Sequence, residues 1–256
     1  MSGTLRGRHV VVTGGGGGLG GAIASAFADQ GADLTLMGRT QATLDAHAAV
    51  LRRTRGNQID AVVVDVTDAT SVNRAFEAAV RGRGPVHILV NNAGHATAAV
   101  FQETTLAEWQ QAIDVNLTGT FLCIQRVLPA MLAAGAGRIV NMASTAGLRG
   151  YTRVAAYCAA KHGVVGLTRA LAAETARTGV TVNAVCPGYI EGTTMLQSAI
   201  ANVVRMTGKS EDQARAMLAK PTGTFVTMDE VAAKVLWLCS PDASTTTGQA
   251  VTVSHD

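Results

Sequence analysis

Tyr157 and Lys161 stand four residues apart in the run Tyr157-Cys158-Ala159-Ala160-Lys161. On a helix that spacing puts a phenol and an ammonium on one face. A nearby cation favours phenolate and lowers a tyrosine pKa from its ordinary value of about 10. The phenol could then give a proton to a carbonyl oxygen or take one from an alcohol. Taken alone, the spacing is common by chance, and a solvated surface pair is the simpler reading. Ser144 comes 13 residues before Tyr157, just past the apolar run Arg138–Met142. Its hydroxyl could hydrogen-bond the same substrate oxygen.

A second group of residues suits phosphate rather than proton chemistry. Thr13-Gly14-Gly15-Gly16-Gly17-Gly18-Leu19-Gly20 directly follows the β-branched run His9–Thr13, and Gly21–Ala28 reads as a helix. Glycine lets the backbone turn sharply and approach a pyrophosphate closely. The N–H groups at the start of the helix, with the positive end of its dipole, then face the phosphates. A flexible glycine linker is the alternative, but the strand–turn–helix context favours nucleotide binding. Gly38-Arg39, Asp65 and Asn91-Asn92-Ala93-Gly94 each follow another apolar run. Singly, each reads as an ordinary cap or turn; their shared position is what raises them.

These residues need elements to position them. The apolar runs are His9–Thr13, Leu34–Met37, Ala61–Val64, His87–Val90, Arg138–Met142, Thr181–Val185 and Ala250–Val253. Most are apolar on both faces, as strands covered by helices require. Between them lie helical stretches rich in Ala, Leu, Glu and Arg. Thr105-x-x-Glu108 and Thr227-x-x-Glu230 have the pattern of capping boxes, and Ser210-x-x-Gln213 is a weaker third. The alternation predicts an α/β fold: a single-domain, Rossmann-like, doubly wound parallel sheet of about seven strands with helices on both faces. No linker or repeat divides residues 1–256, so one domain is expected. In such sheets ligands bind at the carboxyl ends of the strands.

Composition narrows the classes further. The apolar fraction of 48% excludes intrinsic disorder. The balance of 21 basic against 18 acidic residues gives no argument for nucleic acid or a membrane surface. No run of 18 apolar residues predicts a spanning helix. Cys123, Cys158, Cys186 and Cys239 form no CxxC pair, which points to a reducing cytoplasm. The six histidines have no metal-ligand spacing, so no metal is expected. His95, which follows the Asn-Asn-Ala-Gly turn, is read as a solvent-facing loop residue.

Six of these features, in order, resemble the short-chain dehydrogenase/reductase family over nearly the whole chain. The family's TGxxxGxG is here Thr13-Gly14 with Gly18-Leu19-Gly20, and its NNAG is Asn91-Asn92-Ala93-Gly94. Its catalytic asparagine matches Asn116, its serine Ser144, and its YxxxK Tyr157 and Lys161. Asn183 and Pro187-Gly188 match the family's N-x-x-x-P-G.

The resemblance implies hydride transfer between a nicotinamide cofactor and a carbonyl or secondary alcohol. Tyr157 would move the proton and Ser144 would steady the oxyanion. Lys161 would contact the nicotinamide ribose and depress the Tyr157 pKa, and Asn116 would hold a relay water. Thr13, Gly14, Gly16, Gly17, Gly18, Leu19 and Gly20 would cradle the cofactor. Asp65 and Val66 would meet the adenine. Asn91 and Gly94 would line the adenosine ribose side, with Asn92 and Ala93 between them also binding the cofactor. Pro187, Gly188, Ile190 and Thr193 would hold the nicotinamide end, although Gly192 stands where the family usually places its threonine. Residues 189–220 correspond to the substrate lid. Their apolar side chains suit either an apolar substrate or the lid's own packing.

The overall pattern is similar to 3-oxoacyl thioester reductases and 3-hydroxyacyl dehydrogenases. Met131–Gly137 carries no charge, which favours a coenzyme A ester or a free ketone over a carrier protein. A secondary-alcohol or hydroxysteroid-type dehydrogenase is the alternative, and a non-catalytic dinucleotide-binding regulator is the alternative of another class. Thr105–Ala134 and Val154–Thr178 match the family's helical interfaces, implying a homotetramer or homodimer. Gly38 replaces the acidic residue that selects NAD, and Arg39 can reach a 2′-phosphate, so NADP is expected over NAD. Gly17 leaves no second basic partner.

Overall fold

The structure is a computed structural model, described for residues 5–219 and 224–255. The expected lid's last residue, Lys220, and the chain ends 1–4 and 256 lie outside the described residues.

Seven strands form one parallel sheet in the order β3-β2-β1-β4-β5-β6-β7. They are β1 His9–Thr13, β2 Asp33–Gly38, β3 Ile59–Val63, β4 Ile88–Asn91, β5 Gly137–Met142, β6 Val180–Pro187 and β7 Ala250–Val253. The predicted runs fall within a few residues of these bounds. The direction of winding reverses between β1 and β4, which pair Val10 with Ile88 and Val12 with Val90. That reversal opens the crevice where doubly wound sheets bind ligands.

Helices cover both faces. α1 (Gly18–Asp29), α2 (Gln41–Arg55) and α9 (Met228–Leu238) bury Ile23, Phe27, Leu44, Val231 and Val235 on one side. On the other, α3 (Ala69–Arg83), α5 (Gly119–Ala134) and α6 (Ala155–Glu174) bury Phe76, Ile124, Val127 and Leu171. All three predicted capping boxes form: Thr105 starts α4 (Leu106–Ile113), Ser210 starts α8 (Glu211–Leu218), and Thr227 starts α9.

Leu106–Ala134 is long and apolar enough to cross a bilayer by length and composition, contrary to the run-length expectation. It packs instead as part of a layer: α4 lies against α6, and α5 against β4 and β5. A π-helical turn, Asp114–Thr118, interrupts it and separates α4 from α5. The sequence reading gave no sign of that turn.

In the segment expected to form a lid, helices α7 (Thr194–Thr207) and α8 enclose a small core of their own. Leu196, Ile200, Ala214, Ala219 and Phe225 are buried there. Part of that segment's apolar surface therefore packs on itself, while Met195, Met206 and Met217 stay exposed. After β7 the chain is pinned by His255, whose ring nitrogens bond Glu230 (2.9 Å) and Thr224 (2.8 Å).

Candidate active site

The glycine loop spans the crevice between β1 and α1. Gly14 has φ 67°, and a Cβ there would come within 2.8 Å of the Asn92 amide. A Cβ on Gly20 would lie 2.1 Å from the Gly14 carbonyl oxygen, so only glycine allows that approach. At Gly17 and Gly18, by contrast, a Cβ would project into open space. α1 begins there with no side-chain cap and no acidic residue in its first turn. Its first N–H groups are left to an anion, which fits a dinucleotide pyrophosphate. Among the described residues there is no cluster of three metal-ligating side chains.

Thr13 and Asn92 fasten this loop to the turn after β4. The Thr13 hydroxyl accepts from the backbone N–H groups of Asn92 and Ala93, each at 3.0 Å. Asn92 Nδ2 donates to the Thr13 carbonyl at 3.0 Å. Thr13 is buried, so its side chain shapes the cradle from beneath. His47, set aside in the sequence, also shapes it: its Nδ1–H donates to the Gly15 carbonyl from α2 (2.9 Å). Nothing in its local spacing could have shown this.

Asn91 departs from expectation. Its side chain does not line the ribose side but is buried between strands, where Nδ2 donates to Asn141 Oδ1 (2.9 Å). Asn141 in turn donates to Thr168 on α6 (2.9 Å). The alternation of side chains along β4 turns Asn91 away from the cleft. Asp65 and Arg39 are exposed at the same sheet edge, close enough for Arg39 to draw the Asp65 pKa down. The larger cause of that lowering is hydrogen bonding from the Thr67 N–H and hydroxyl. Val66 is buried against Gly119.

The proton-handling residues come together at the ends of β5 and β6. Ser144 follows β5; its hydroxyl accepts from the Ala146 N–H (3.1 Å) and lies close enough to Tyr157 to favour the phenolate. Tyr157 and Lys161 lie one turn apart on α6, both buried at 7% and 4% exposure. Lys161 Nζ donates to the Met142 carbonyl at 2.7 Å and stands 5.5 Å from the Tyr157 ring centre. Gly147 allows the turn after Ser144 to press on α6, since a Cβ would meet the Lys161 carbonyl oxygen at 2.7 Å.

The electrostatics correct one expectation. Burial pushes the Tyr157 pKa up to about 12, outweighing the lowering influence of Ser144. Burial also brings Lys161 down to about 8. Desolvation disfavours the charged form of each group. Tyr157 is thus a protonated phenol at neutral pH, ready to donate. Burial also raises Cys186, to about 11, in keeping with an inert packing thiol.

Asn116 sits fully buried in the π-helical turn. Nδ2 donates to the carbonyls of His95 (2.8 Å) and Ala112 (2.9 Å), and Oδ1 accepts from the His95 N–H (3.2 Å). A Cβ on Gly94 would touch both Asn116 and Lys161, so only a small residue fits between them. The Asn116 side chain therefore holds the loop after β4 in place beside Lys161.

A cleft of about 430 Å³ joins these parts. Gly17–Gly20, Asn92 and Gly94 form one wall; Ser144, Tyr157 and Lys161 form the floor; Pro187, Gly188 and Ile190 lie opposite. Thr193 lines it too, but its hydroxyl caps α7 and donates to the Ile190 carbonyl (2.7 Å). Thr194 stands beside it on the cleft wall. Among the lining residues the sequence reading did not select are His95, Tyr189, Met195 and Met228. Position after a strand could have found His95. Tyr189 and Met195 come from the 189–220 segment and Met228 from the start of α9, so their meeting at the cleft depends on long-range packing.

Comparison with known proteins agrees with this geometry. Residues 8–203 match the short chain dehydrogenase family. The chain is 42% identical to the granaticin polyketide synthase putative ketoacyl reductase 1 of Streptomyces violaceoruber, over 95% of this chain and 90% of that protein. It is 40% identical to 2-(S)-hydroxypropyl-CoM dehydrogenase 3 of Xanthobacter autotrophicus, over 99% and 97%. A crystal structure of a variant actinorhodin polyketide ketoreductase with NADPH superposes with a TM-score of 0.92 at 38% identity, covering 96% of this chain and 95% of that one. A parallel sheet with a glycine cradle, and full-length similarity at this level, make the chain an NAD(P)-dependent oxidoreductase acting on CH–OH groups, and it belongs to the short-chain dehydrogenase family.

Proposed function

We propose that the chain interconverts a 3-oxoacyl thioester, or a similar ketone, and its 3-hydroxy counterpart, with NADP(H) preferred over NAD(H). The observation that carries the reaction type is the convergence of Ser144, Tyr157 and Lys161 on one cleft, with Ser144 near enough to Tyr157 to influence its phenol. A carbonyl oxygen placed against both would receive two hydrogen bonds. The bound nicotinamide supplies or accepts the hydride. Tyr157 gives its proton as negative charge develops on the substrate oxygen, and Ser144 steadies that charge. Lys161, held on the Met142 carbonyl 5.5 Å from the Tyr157 ring centre, would favour the phenolate once the proton has left. A non-catalytic regulator would have no use for these three groups in one place.

The substrate class rests on similarity to the ketoacyl reductase of Streptomyces violaceoruber and on the uncharged helix end Met131–Gly137. The cofactor preference rests on Gly38 and the exposed Arg39 after β2. We read residues 1–256 as one nucleotide-binding domain whose lid is 189–220. The setting is cytoplasmic, in keeping with four free, buried cysteines. Cofactor oxidation with acetoacetyl-CoA, an N-acetylcysteamine 3-oxo thioester, and simple ketones tests the reading. Turnover of both thioesters is expected. Turnover of simple secondary alcohols and ketones alone would replace it with the secondary-alcohol assignment.

A further inference from the structure

Five of the six histidines have a ring nitrogen bonded to the protein. His9 reaches Gly84, His47 reaches Gly15, His87 accepts from the His9 N–H, His162 reaches Cys158, and His255 reaches Glu230. His95 is the exception: its imidazole has no hydrogen-bond partner among the described residues, and the residue, exposed as expected of a loop position, lines the cleft that also holds Ser144 and Tyr157. Its backbone, by contrast, is held on both sides. Asn116 takes the His95 N–H and carbonyl, and Ala96 packs against the buried cluster of Tyr157 and Cys158. A rigid backbone carrying an unengaged donor is the arrangement a binding site needs, because little ordering remains to be done when the ligand arrives.

The surroundings say what kind of group would meet it. No carboxylate lines the cleft, and Lys161 is committed to the Met142 carbonyl. Ser144 and Tyr157 are occupied by the reacting oxygen. The one remaining side-chain nitrogen donor on the floor side is the imidazole, which offers an N–H in either neutral tautomer.

We propose that His95 is a specificity-determining residue that donates a hydrogen bond to a second carbonyl oxygen of the substrate, the thioester oxygen two carbons from the ketone. It thereby selects a 3-oxo thioester over a simple ketone. This rests on the carbonyl-reduction reading above.

Steady-state reduction of an acetoacetyl N-acetylcysteamine thioester and of a simple methyl ketone of similar length tests it, in wild type, His95→Ala, His95→Gln and His95→Phe. His95→Ala is expected to lower kcat/KM for the thioester about threefold to tenfold, through KM, and to leave the ketone within about twofold. His95→Gln, which keeps an N–H donor, recovers most of the loss, and His95→Phe does not. NADPH affinity by fluorescence should be unchanged in all three. Equal losses on both substrates, no loss on either, or recovery by Phe would overturn the assignment. A wild-type enzyme that reduces the ketone with no advantage for the thioester overturns it alone. A wild type inactive on both overturns the carbonyl-reduction reading with it.

Discussion

Replacing Tyr157 by Phe removes the proton donor and leaves the ring that packs against Ala146 and Cys158. Turnover is expected to fall on the order of 10²–10⁴-fold, while cofactor affinity persists. Turnover within a few-fold of wild type, measured with saturating cofactor, would remove Tyr157 from the reaction. Arg39 is tested separately, because it lies on the cofactor's distant end. A charged hydrogen bond contributes about 1.5–3 kcal/mol, so Arg39→Ala should lower kcat/KM with NADPH about tenfold to a hundredfold and spare NADH. Equal or better kcat/KM with NADH in the wild type would sink the NADP preference. At this scale the sequence was a good guide to identity and a poor one to environment. The motif spacing located Ser144, Tyr157 and Lys161, and all three meet at the cleft floor. It could not show that burial would push the phenol pKa up, nor that Asn91 would face away from the cleft. Both depend on neighbours far along the chain, such as Met142 for Lys161 and Asn141 for Asn91.

Strands and helix starts were legible because each has a local cause. β-branched runs buried on both faces read as strands of a parallel sheet. Thr105, Ser210 and Thr227 each satisfy the first free N–H groups of a helix, with a partner three residues on. The π-helical turn at Asp114–Thr118 has no such signature. One extra residue accommodated in a helix changes neither composition nor capping, yet it places Asn116 where it can hold His95. Thr168 and Asn141 add a second tie between α6 and β5, alongside Lys161 and the Met142 carbonyl. Asn116→Leu tests the role of the turn. It removes three hydrogen bonds and strands the buried carbonyl of Ala112 within the helix and both polar backbone groups of His95. A stability loss of about 1–3 kcal/mol in urea unfolding is expected, together with a fall in kcat/KM. Wild-type stability and turnover in this variant would show that the loop after β4 holds its place without Asn116.

The doubly wound sheet follows from the order of strands and helices, and the crevice follows from where that order reverses, so the whole-molecule architecture was legible early. What the chain does with its outer surface was not, since exposed apolar residues are scattered through the sequence. In the structure Phe101 and Leu106 are 74% and 80% exposed, and Phe121 and Leu132 on α5 are also exposed. Their concentration on one segment supports the proposed homotetramer or homodimer. Light scattering at micromolar concentration should give two or four subunits, and a monomer would contradict it. At the amino end of the interior strand β1, His9 is a buried residue. Its Nδ1–H donates to the Gly84 carbonyl, and its Nε2 faces the Thr35 hydroxyl, both at 2.9 Å. Burial lowers its pKa below the ordinary histidine value, and the backbone bond to Gly84 opposes this only partly. His87, which accepts from the His9 N–H, is lowered for the same reason. A histidine held neutral in the folded state binds fewer protons than it does unfolded. Its contribution to stability is therefore complete above the unfolded pKa of about 6.5 and is lost as pH falls toward the lowered folded value. Each such histidine sets a slope of at most about 1.4 kcal/mol per pH unit across that window. Urea midpoints should accordingly decline from pH 7 to pH 5, and His9→Asn should decline less steeply, even if it is less stable at pH 7. An unchanged slope in His9→Asn would remove this buried histidine as a source of acid sensitivity.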